Sequence, residues 1–292
     1  MAAGVLLAGT ILSCQKPEPE GPVFPTPPEP EQKEVSYEPA PCKNNIVAHR
    51  CGAKECGAPD NSLAALRYAM QLGCYAAEID IYYTLDGNVI VHHGSSGKVN
   101  GMFPSQHTLP EIRAAGRLAN GEDIPTLEDF LDAVCVKDNC TRLWIETKNI
   151  TNSEISASDQ EAAIINGVKK ALEIIEAKKA GKFVEFNGTG RSGVFKQIYP
   201  MVKAKGFTMS MATSNSAATM KSAGYEWSNY DVSSRSAAEI SAIAADYQKY
   251  SVALSIYNID SPALRAACES VKDKVKGVMT NYPKALLTAY YD

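Results

Sequence analysis

The feature that most constrains the fold is a regular alternation of strand-like and helix-like segments after Cys42. Short apolar runs typical of buried strands, beginning with NNIVAH at 44–49, are followed by segments in which apolar residues recur with helical spacing. Strands that alternate with helices predict a parallel sheet. YAAEIDIYYT and NVIVHH are predicted to be strands around the tight turn LDGN. When this region, 75–93, is counted as one, the chain contains eight strand–helix units. This number predicts an α/β fold of the (β/α)8 TIM-barrel type.

A doubly wound open sheet is the alternative architecture. It is less favoured because no G-x-G-x-x-G turn follows the first predicted strand. Local signals also predict helix boundaries. Asp60 or Asn61 is expected to cap the helix in DNSLAALRYAMQLG, which stops at Gly73, and Thr126 is expected to cap the helix in TLEDFLDAV.

The first 42 residues differ in character from the rest of the chain. Residues 2–12 form an apolar run of signal-peptide size, and the sequence ILSC that ends at Cys14 resembles a bacterial lipoprotein processing box. Residues 15–41 contain nine of the 16 Pro and six Glu, which is typical of an extended spacer. We predict a lipoprotein signal peptide at 1–14 with Cys14 lipidated, a Pro/Glu-rich linker at 15–42 and a catalytic domain at 43–292. The protein is therefore expected to be exported and lipid-anchored to a bacterial membrane, periplasmic or at the cell surface.

The distribution of charge excludes one class of partner. The formal net charge is −4, and the six Glu and two Lys of residues 15–41 account for all of it. The remaining domain is neutral and carries no basic footprint, so a nucleic-acid-binding role is excluded. A small molecule is the expected partner, and contact with a membrane is expected only through the lipid anchor. The oligomeric state cannot be read from the sequence.

Eight cysteines raise the question of cross-links in an exported protein. Cys51 and Cys56 are close in sequence, as are Cys135 and Cys140, and each pair could close a short loop. The sequence does not fix the pairing. A zinc site is less favoured, because no pair of Cys with two-residue spacing is matched by a second pair.

Polar and charged residues fall at the C-terminal ends of the predicted strands, where TIM barrels carry their active sites. They are His49, Arg50, Glu78, Asp80, His92, His93, Glu146, Lys148, Asn187, Tyr257 and Asn258. Charges are costly to bury unless they are paired or bound to a metal. Their convergence on one barrel mouth therefore predicts a shared functional site.

The residue types indicate the chemistry of that site. Glu78, Asp80 and Glu146 offer the oxygen ligands that Ca²⁺ and Mg²⁺ prefer. Histidines on different strands can act as general acid and general base near neutral pH. Arg50 and Lys148 add positive charge suited to a phosphate. A divalent cation, an acid–base pair and a phosphate clamp together predict cleavage of a phosphoester.

The motifs around these residues resemble those of the glycerophosphodiester phosphodiesterase family. VAHRCG stands where the family has a strand ending in His-Arg-Gly, and PDNSLAAL stands at its Pro-Glu-Asn-Thr motif. EIDIYYTLDG is similar to its Glu-x-Asp and Thr-x-Asp-Gly motifs. IPTLEDFL, IETK and VMTNYP are similar to its later Pro-Thr-Leu, Glu-x-Lys and Asn-x-Pro segments.

The resemblance implies a barrel with a small insertion after the second strand, at roughly residues 94–124. It implies a hydrolase that cleaves glycerophosphodiesters to glycerol phosphate and an alcohol, in which a glycerol hydroxyl attacks phosphorus and a cyclic phosphate is then hydrolysed. The expected roles are as follows: His49 and His93 for acid–base catalysis, Glu78, Asp80 and Glu146 for one Ca²⁺ or Mg²⁺, and Arg50, Lys148, Asn187 and Tyr257 for substrate.

The second histidine is chosen by counting from the turn. His93 is six residues past Gly87, the family's usual spacing, and Gly94 stands where the family has Asp. In a regular strand His93 shares a face with Val91, so His93 is predicted to point into the site and His92 to be its neighbour. A bulge would reverse the two, which leaves His92 as the alternative.

Two other functions stay open. A related phospholipase or lyase would act on an intact lipid or a glycerophosphate polymer. A catalytically silent barrel would only bind a phosphorylated ligand, and Gly94 in place of Asp keeps that possibility open. The headgroup of the substrate is not readable from the sequence.

Overall fold

A computed structural model describes residues 37–150, 152–188 and 191–292. The predicted signal peptide, the lipidated Cys14 and most of the predicted linker lie outside the described residues. The described residues form one compact unit. None of their helices combines the length and the apolar character that a membrane span requires.

The sheet of the described chain closes into a barrel of eight parallel strands. The nine strands of the sheet are β1 (Ile46–Ala48), β2 (Ala76–Tyr83), β3 (Val89–Val91), β4 (Arg142–Thr147), β5 (Val184–Gly188), β6 (Met209–Ala212), β7 (Trp227–Asp231), β8 (Ala253–Tyr257) and β9 (Gly277–Thr280). All except β3 pair in parallel with their neighbours, and β1 pairs with both β2 and β9. The TIM-barrel prediction is therefore confirmed and the open sheet is wrong, because β1 bridges the two ends that an open sheet would leave unpaired.

Helices cover the outside of the barrel. They are α1 (Ala53–Cys56), α2 (Leu63–Gln71), α3 (Leu109–Ala115), α4 (Leu127–Val134), α5 (Ala157–Ala177), α6 (Ser192–Ala204), α7 (Ala217–Ser222), α8 (Ala237–Lys249), α9 (Pro262–Glu269) and α10 (Pro283–Tyr291). Their apolar faces and the outward side chains of the strands form the main core. At least one helix follows every barrel strand, which satisfies the repeat that the sequence predicted.

The helix caps confirm one prediction and correct another. Thr126 caps α4 through a capping box with Asp129, in which each side chain accepts from the other residue's backbone N–H. The cap of α2 is Ser62, whose hydroxyl accepts from the N–H of Ala65, rather than Asp60 or Asn61. Asn61 lies one residue before the cap, and its side chain hydrogen-bonds to Asp80 instead of to the helix.

Residues 75–93 form two strands around a turn, as predicted, and only the first belongs to the barrel wall. The chain reverses after β2, and β3 pairs antiparallel with β2 outside the barrel wall. The strand β3 ends at Val91, whose N–H donates to the carbonyl of Pro125. The segment between β2 and α4 packs around its own small core, centred on Ile90, Phe103 and Ile112. The predicted insertion after the second strand is thus present and begins earlier than residue 94.

The domain also begins earlier than residue 43. The N–H of Ala40 donates to the carbonyl of Asn139 at 2.8 Å. Tyr37 packs, partly buried, against the main core. Residues 37–42, assigned by composition to the linker, therefore belong to the folded domain.

The seven cysteines of the described chain are free thiols, so the Cys51–Cys56 and Cys135–Cys140 cross-links are not formed. Cys51 is buried and its Sγ faces the carbonyl of Glu78 at 3.7 Å. The Sγ of Cys56 faces the carbonyl of Ala53 instead. The two thiols thus face different backbone carbonyls instead of forming a bond with each other.

The lower interior of the barrel is filled by two tryptophans. The rings of Trp144 and Trp227 meet edge to face with centroids 4.8 Å apart. Gly277 on β9 leaves the space that this packing needs. A Cβ at that position would lie 2.4 Å from Cη2 of Trp144 and 3.1 Å from a methyl of Val47.

We expect Gly277→Ala to destabilise the protein by about 1–3 kcal/mol, because the added methyl overpacks a fully buried ring. The matched control is Gly193→Ala in α6, where a Cβ meets nothing within 4 Å. The control should be neutral or stabilising by up to about 1 kcal/mol, because alanine favours helix. Urea denaturation of both variants measures the difference, and equal midpoints would contradict this account of the barrel interior.

Candidate active site

Three carboxylates from adjacent strands meet at the C-terminal end of the barrel. Glu78 and Asp80 lie two residues apart on β2, so their side chains point the same way. Asp80 pairs in register with Glu146 on β4. One oxygen from each carboxylate lies within 4.8 Å of the others. The structure thus brings together the three residues that the sequence predicted as metal ligands.

The carboxylates are only partly compensated by the protein. The backbone N–H of Arg50 donates to Glu78 at 2.9 Å, and Lys148 Nζ lies 3.0 Å from Asp80 and 3.6 Å from Glu146. Burial, with the charge of Asp80 next in effect, raises the pKa of Glu78 to about 8. Burial and the charge of Asp80 also raise the pKa of Glu146. A further cation would stabilise the charged form of both groups.

The donor set fits a hard divalent cation. All three groups offer carboxylate oxygens, which Ca²⁺ and Mg²⁺ prefer. In addition, Glu78 Oε1 is buried and has no hydrogen-bond partner among the described residues. An unpartnered buried carboxylate oxygen is costly, and a bound cation would satisfy it. Residues Glu78, Asp80 and Glu146 are therefore able to hold one divalent metal ion.

Two buried asparagines hold the carboxylates in place. Asn61 donates its Nδ2 to Asp80 Oδ2 at 2.9 Å and accepts from the N–H of Asp80 at 3.1 Å. Asn187 donates to Glu146 at 3.1 Å, while its Oδ1 accepts from Ser210 and Asn229. The prediction that Asn187 contacts substrate is not supported, because its side chain is 1% exposed and its amide is already engaged.

A chain of hydrogen bonds orients His49. Asn281 donates its Nδ2 to Asp260 at 2.6 Å, and Asn281 Oδ1 lies 2.9 Å from His49 Nδ1. Because a carboxylate only accepts, Asp260 fixes the amide with its oxygen toward the ring. His49 Nδ1 must then carry the proton and donate. Nε2 is left with its lone pair, 3.9 Å from the Glu78 carboxylate.

His93 is held on the other side of the cluster by Arg50. The Arg50 guanidinium donates to His93 Nε2 at 2.6 Å, and His93 Nδ1 donates to the carbonyl of Gly94 at 3.0 Å. Burial lowers the pKa of His93, and the charges of Lys148 and Arg50 lower it further. Burial and the charge of Arg50 likewise lower the pKa of His49. The neutral form of both rings, which has a basic nitrogen, is therefore favoured.

His92 is engaged in the turn rather than in the cluster. Its Nδ1 accepts from the backbone N–H of Gly94 at 2.7 Å. The face-sharing argument from Val91 does not apply, because β3 ends at that residue and both histidines lie beyond it. The contact with Arg50 nevertheless associates His93, and not His92, with the charged residues of the site.

Steric contacts explain why this chain has glycine at position 94, where the family has Asp. Its φ is +71°, and a Cβ there would lie 2.6 Å from the hydroxyl of Tyr82 and 3.1 Å from the carbonyl of Lys98. The Tyr82 hydroxyl in turn donates to the carbonyl of His93 at 2.9 Å. Tyr82 thus occupies the space next to the turn, so Asp cannot replace Gly94 without a shift of this residue.

The loop that carries Arg50 is strained. Arg50 and Cys51 have φ of 47° and 65°, in the left-handed region that costs on the order of 1–3 kcal/mol for such residues. This conformation aims the N–H of Arg50 at Glu78 while its guanidinium reaches His93 and, at 2.8 Å, Asp60. The Arg50 Nε is buried, lies 4.0 Å from Asp80 Oδ2 and has no hydrogen-bond partner among the described residues. Arg50 therefore presents unused donor capacity at the centre of the site.

Tyr257 and Asn258 lie at the rim, where β8 ends. Tyr257 is half-buried, and burial followed by the charges of Asp231 and Glu146 raises the pKa of its hydroxyl. Asn258 donates to Asp231 at 3.0 Å, so its amide is engaged at the surface. Tyr257 lies beside the site, as expected, whereas the Asn258 amide hydrogen-bonds to Asp231 at the rim.

The sequence interpretation missed three positioning residues: Asn61, Asp260 and Asn281. Asn61 lies in PDNS and was interpreted as a helix cap. Its buried amide instead donates to the carboxylate of Asp80. Asn281 lies in VMTNYP, a motif recognised without a role for its Asn. Asp260, three residues past β8, gave no signal that sequence alone could interpret.

The sequence matches a family model described as the glycerophosphoryl diester phosphodiesterase family over residues 49–285. A glycerophosphodiester phosphodiesterase of Caldanaerobacter subterraneus subsp. tengcongensis is 32% identical over 114 residues, 36% of this chain and 46% of that protein. Glycerophosphodiester phosphodiesterase 1 of Bos taurus is 30% identical over 128 residues, 36% of this chain and 38% of that protein. The chain therefore spans less than half the length of these relatives.

Solved structures resemble the whole barrel. A glycerophosphodiester phosphodiesterase from Parabacteroides distasonis has a TM-score of 0.70 at 20% identity and covers 86% of this chain and 98% of its own. An Oleispira antarctica phosphodiesterase in complex with the product sn-glycerol-3-phosphate has a TM-score of 0.62 at 17% identity. The match covers 84% of this chain and 96% of that one. At these identities the likeness supports the fold.

We expect the purified protein, after chelation and dialysis, to bind one Ca²⁺ or Mg²⁺ per chain. Glu146→Gln removes one oxygen ligand and should weaken that binding by at least about tenfold. The control is Glu173→Gln on α5, where the side chain is 67% exposed and paired only with Lys170. Calorimetric titration measures both variants. Equal affinity of wild type and Glu146→Gln would show that the cluster does not hold the ion.

Proposed function

The chain belongs to the glycerophosphoryl diester phosphodiesterase family, and on that premise we propose that it hydrolyses glycerophosphodiesters to glycerol phosphate and an alcohol. One observation carries the proposal. Three carboxylates able to hold a divalent ion lie beside two oriented histidines and two cationic side chains at one barrel mouth. A site that only bound an anion would not need an acidic cluster, whereas cleavage of a phosphodiester uses all three kinds of group.

The names of the relatives support the same class of substrate. The bacterial and cattle relatives are both named glycerophosphodiester phosphodiesterases. The similarly folded Oleispira enzyme was solved with sn-glycerol-3-phosphate as its product, which is the product that we propose for this chain.

Glu78, Asp80 and Glu146 would hold the divalent ion, and Asn61 and Asn187 would keep two of the carboxylates oriented toward it. When bound, a divalent ion supplies positive charge that stabilises the charge developing on the phosphate oxygens. Preorganisation matters because a site already aligned does not have to reorganise during the reaction.

His49 and His93 are proposed to move the protons. One ring, in its neutral form, accepts the proton of the glycerol hydroxyl that attacks phosphorus. The other ring, in its protonated form, donates a proton to the oxygen of the departing alcohol. Water then opens the cyclic phosphate, and the two rings return to their starting protonation states. For His49 the reactive atom is Nε2, because Nδ1 is committed to Asn281. For His93 it is also Nε2, because Nδ1 donates to the carbonyl of Gly94, and Arg50 must release its hydrogen bond to Nε2 before the ring moves a proton.

Arg50 and Lys148 are proposed to hold the phosphate. Lys148 Nζ lies between Asp80 and Glu146, so it sits next to the proposed ion. The Nε–H of Arg50, which makes no hydrogen bond to the described residues, is available to donate one to a phosphate oxygen. Tyr257 stands at the rim, where its hydroxyl could contact the leaving alcohol.

Two alternatives are weighed against this function. A barrel that only binds a phosphorylated ligand has no use for the Asp260–Asn281–His49 chain, which fixes one ring nitrogen as a base. A phospholipase acting on an intact lipid would require the acyl chains to be accommodated, and the rim residues Asp231 and Asn258 are polar.

The reaction class is tested by incubating the protein, with Ca²⁺ or Mg²⁺ and separately with excess chelator, with a panel of glycerophosphodiesters and with phosphatidylcholine. We expect glycerol phosphate from at least one glycerophosphodiester, no cleavage of the intact lipid, and loss of turnover with the chelator. Phosphatase-coupled phosphate release measures the product. Binding of glycerol phosphate without turnover of any substrate would favour the silent barrel, and cleavage of phosphatidylcholine alone would favour the phospholipase.

Alanine substitutions distinguish the role of His93 from that of its neighbour His92. We expect His49→Ala and His93→Ala each to lower kcat by about 10²–10⁴, the usual cost of losing a general acid or base. His92→Ala is the matched control and should retain most of the activity, because His92 bonds within the turn. Metal binding should persist in all three variants. A dead His92→Ala beside a nearly normal His93→Ala would reverse the assignment.

A further inference from the structure

Three cysteines meet at the end of the barrel opposite the active site. Cys42, Cys74 and Cys140 lie just before β1, β2 and β4, and these three strands are neighbours in the wall. Cys42 Sγ lies 3.4 Å from the carbonyl oxygen of Gly73, and Cys140 Sγ lies 3.6 Å from the same atom. Two thiols about a hundred residues apart in sequence thus share one acceptor.

The two thiols are close enough to influence each other's titration. Because both lie against one oxygen atom, the two sulfurs are within about 7 Å of each other. The interaction between the two thiols lowers the pKa of Cys140 to about 6 and raises that of Cys42. Both side chains are partly exposed, so a reagent can reach them. Cys74, in contrast, is fully buried, and burial raises the pKa of its thiol.

The backbone on both sides is already fixed. The Ala40–Asn139 hydrogen bond joins the two segments next to Cys42 and Cys140. Asn44, two residues after Cys42, donates to the Gly73 carbonyl at 2.9 Å. The segments that carry Cys42 and Cys140 are therefore held next to each other at the base of the barrel.

We propose that Cys42 and Cys140 form a disulfide that ties the N-terminal segment to the base of the barrel. The oxidant is another disulfide, of low molecular weight or on a protein. The thiolate of Cys140 attacks one of its sulfurs and releases the other as a thiolate, leaving a mixed disulfide. The Cys42 sulfur, on losing its proton, then attacks the Cys140 sulfur and releases the second thiol. The protein loses two electrons and two protons, and the oxidant is reduced to two thiols.

The cross-link would stabilise the domain without touching the site. It closes a loop of about a hundred residues and restricts the unfolded chain, which is where a disulfide acts most strongly. The predicted export would place the protein in a compartment where such a bond persists. It would also connect the start of the domain, where the predicted tether ends, covalently to the barrel.

The test uses the full chain, first reduced and then incubated with oxidised glutathione. Peptide mapping without reductant should recover one cross-linked pair, the peptides of Cys42 and Cys140, and this result does not depend on any variant. The oxidised protein should melt roughly 5–10 °C above the reduced protein. Turnover should be the same in both forms.

Two variants complete the design. Cys140→Ser should remove the cross-link and make the melting temperature insensitive to the oxidant. Cys135→Ser is the control, because Cys135 lies near Asp132 and Lys178 instead and should leave the cross-link in place. Recovery of a Cys74–Cys140 pair, of singly glutathionylated Cys140, or of unmodified Cys42 and Cys140 would each overturn the proposal.

Discussion

The architecture of the site follows from the repulsion between Glu78, Asp80 and Glu146. Their oxygens lie within 4.8 Å of one another, and two of the three side chains are buried. Like charges at that distance, in an interior of low dielectric constant, raise each other's pKa unless cations and hydrogen-bond donors compensate them. The surrounding residues meet that need. Lys148 and the backbone of Arg50 supply positive charge and a donor, and two asparagines supply directed amides.

The closed barrel makes this compensation possible. Residues from positions 50, 61, 80 and 187 meet because parallel strands present their C-terminal ends on one rim. The same closure brings Asp260 and Asn281, from the last two strand–helix connections, to His49 at the first. At the opposite end it collects Cys42, Cys74 and Cys140 by the same geometry. The carboxylates therefore lie at the C-terminal end of the barrel, where the reaction is proposed. The thiols lie at the N-terminal end, where the disulfide is proposed.

The insertion after β2 shows how packing modifies a family pattern. Its separate apolar core anchors the turn after β3, and the Tyr82 hydroxyl closes over the backbone of His93. Gly94 is the residue that leaves room for that hydroxyl. The absence of the family's Asp at this position is thus coupled to a tyrosine twelve residues earlier. Orientation of His93 then depends on Arg50 and on the backbone of Gly94.

Periodicity and local motifs in the sequence were enough to predict the eight strand–helix units, the Thr126 cap and the three carboxylates, because each rests on contacts within a few residues or on strand alternation. They were not enough for Asn187, whose amide is turned inward by Ser210 and Asn229 from neighbouring strands. They did predict β2 and β3 as two strands around the LDGN turn, because turn residues between two apolar runs are a local signal. The shared acceptor of Cys42 and Cys140 and the Asp260–Asn281–His49 chain depend on residues that are far apart along the chain. Only closure of the barrel decides such contacts, because it sets the distances between strands that the sequence order leaves open.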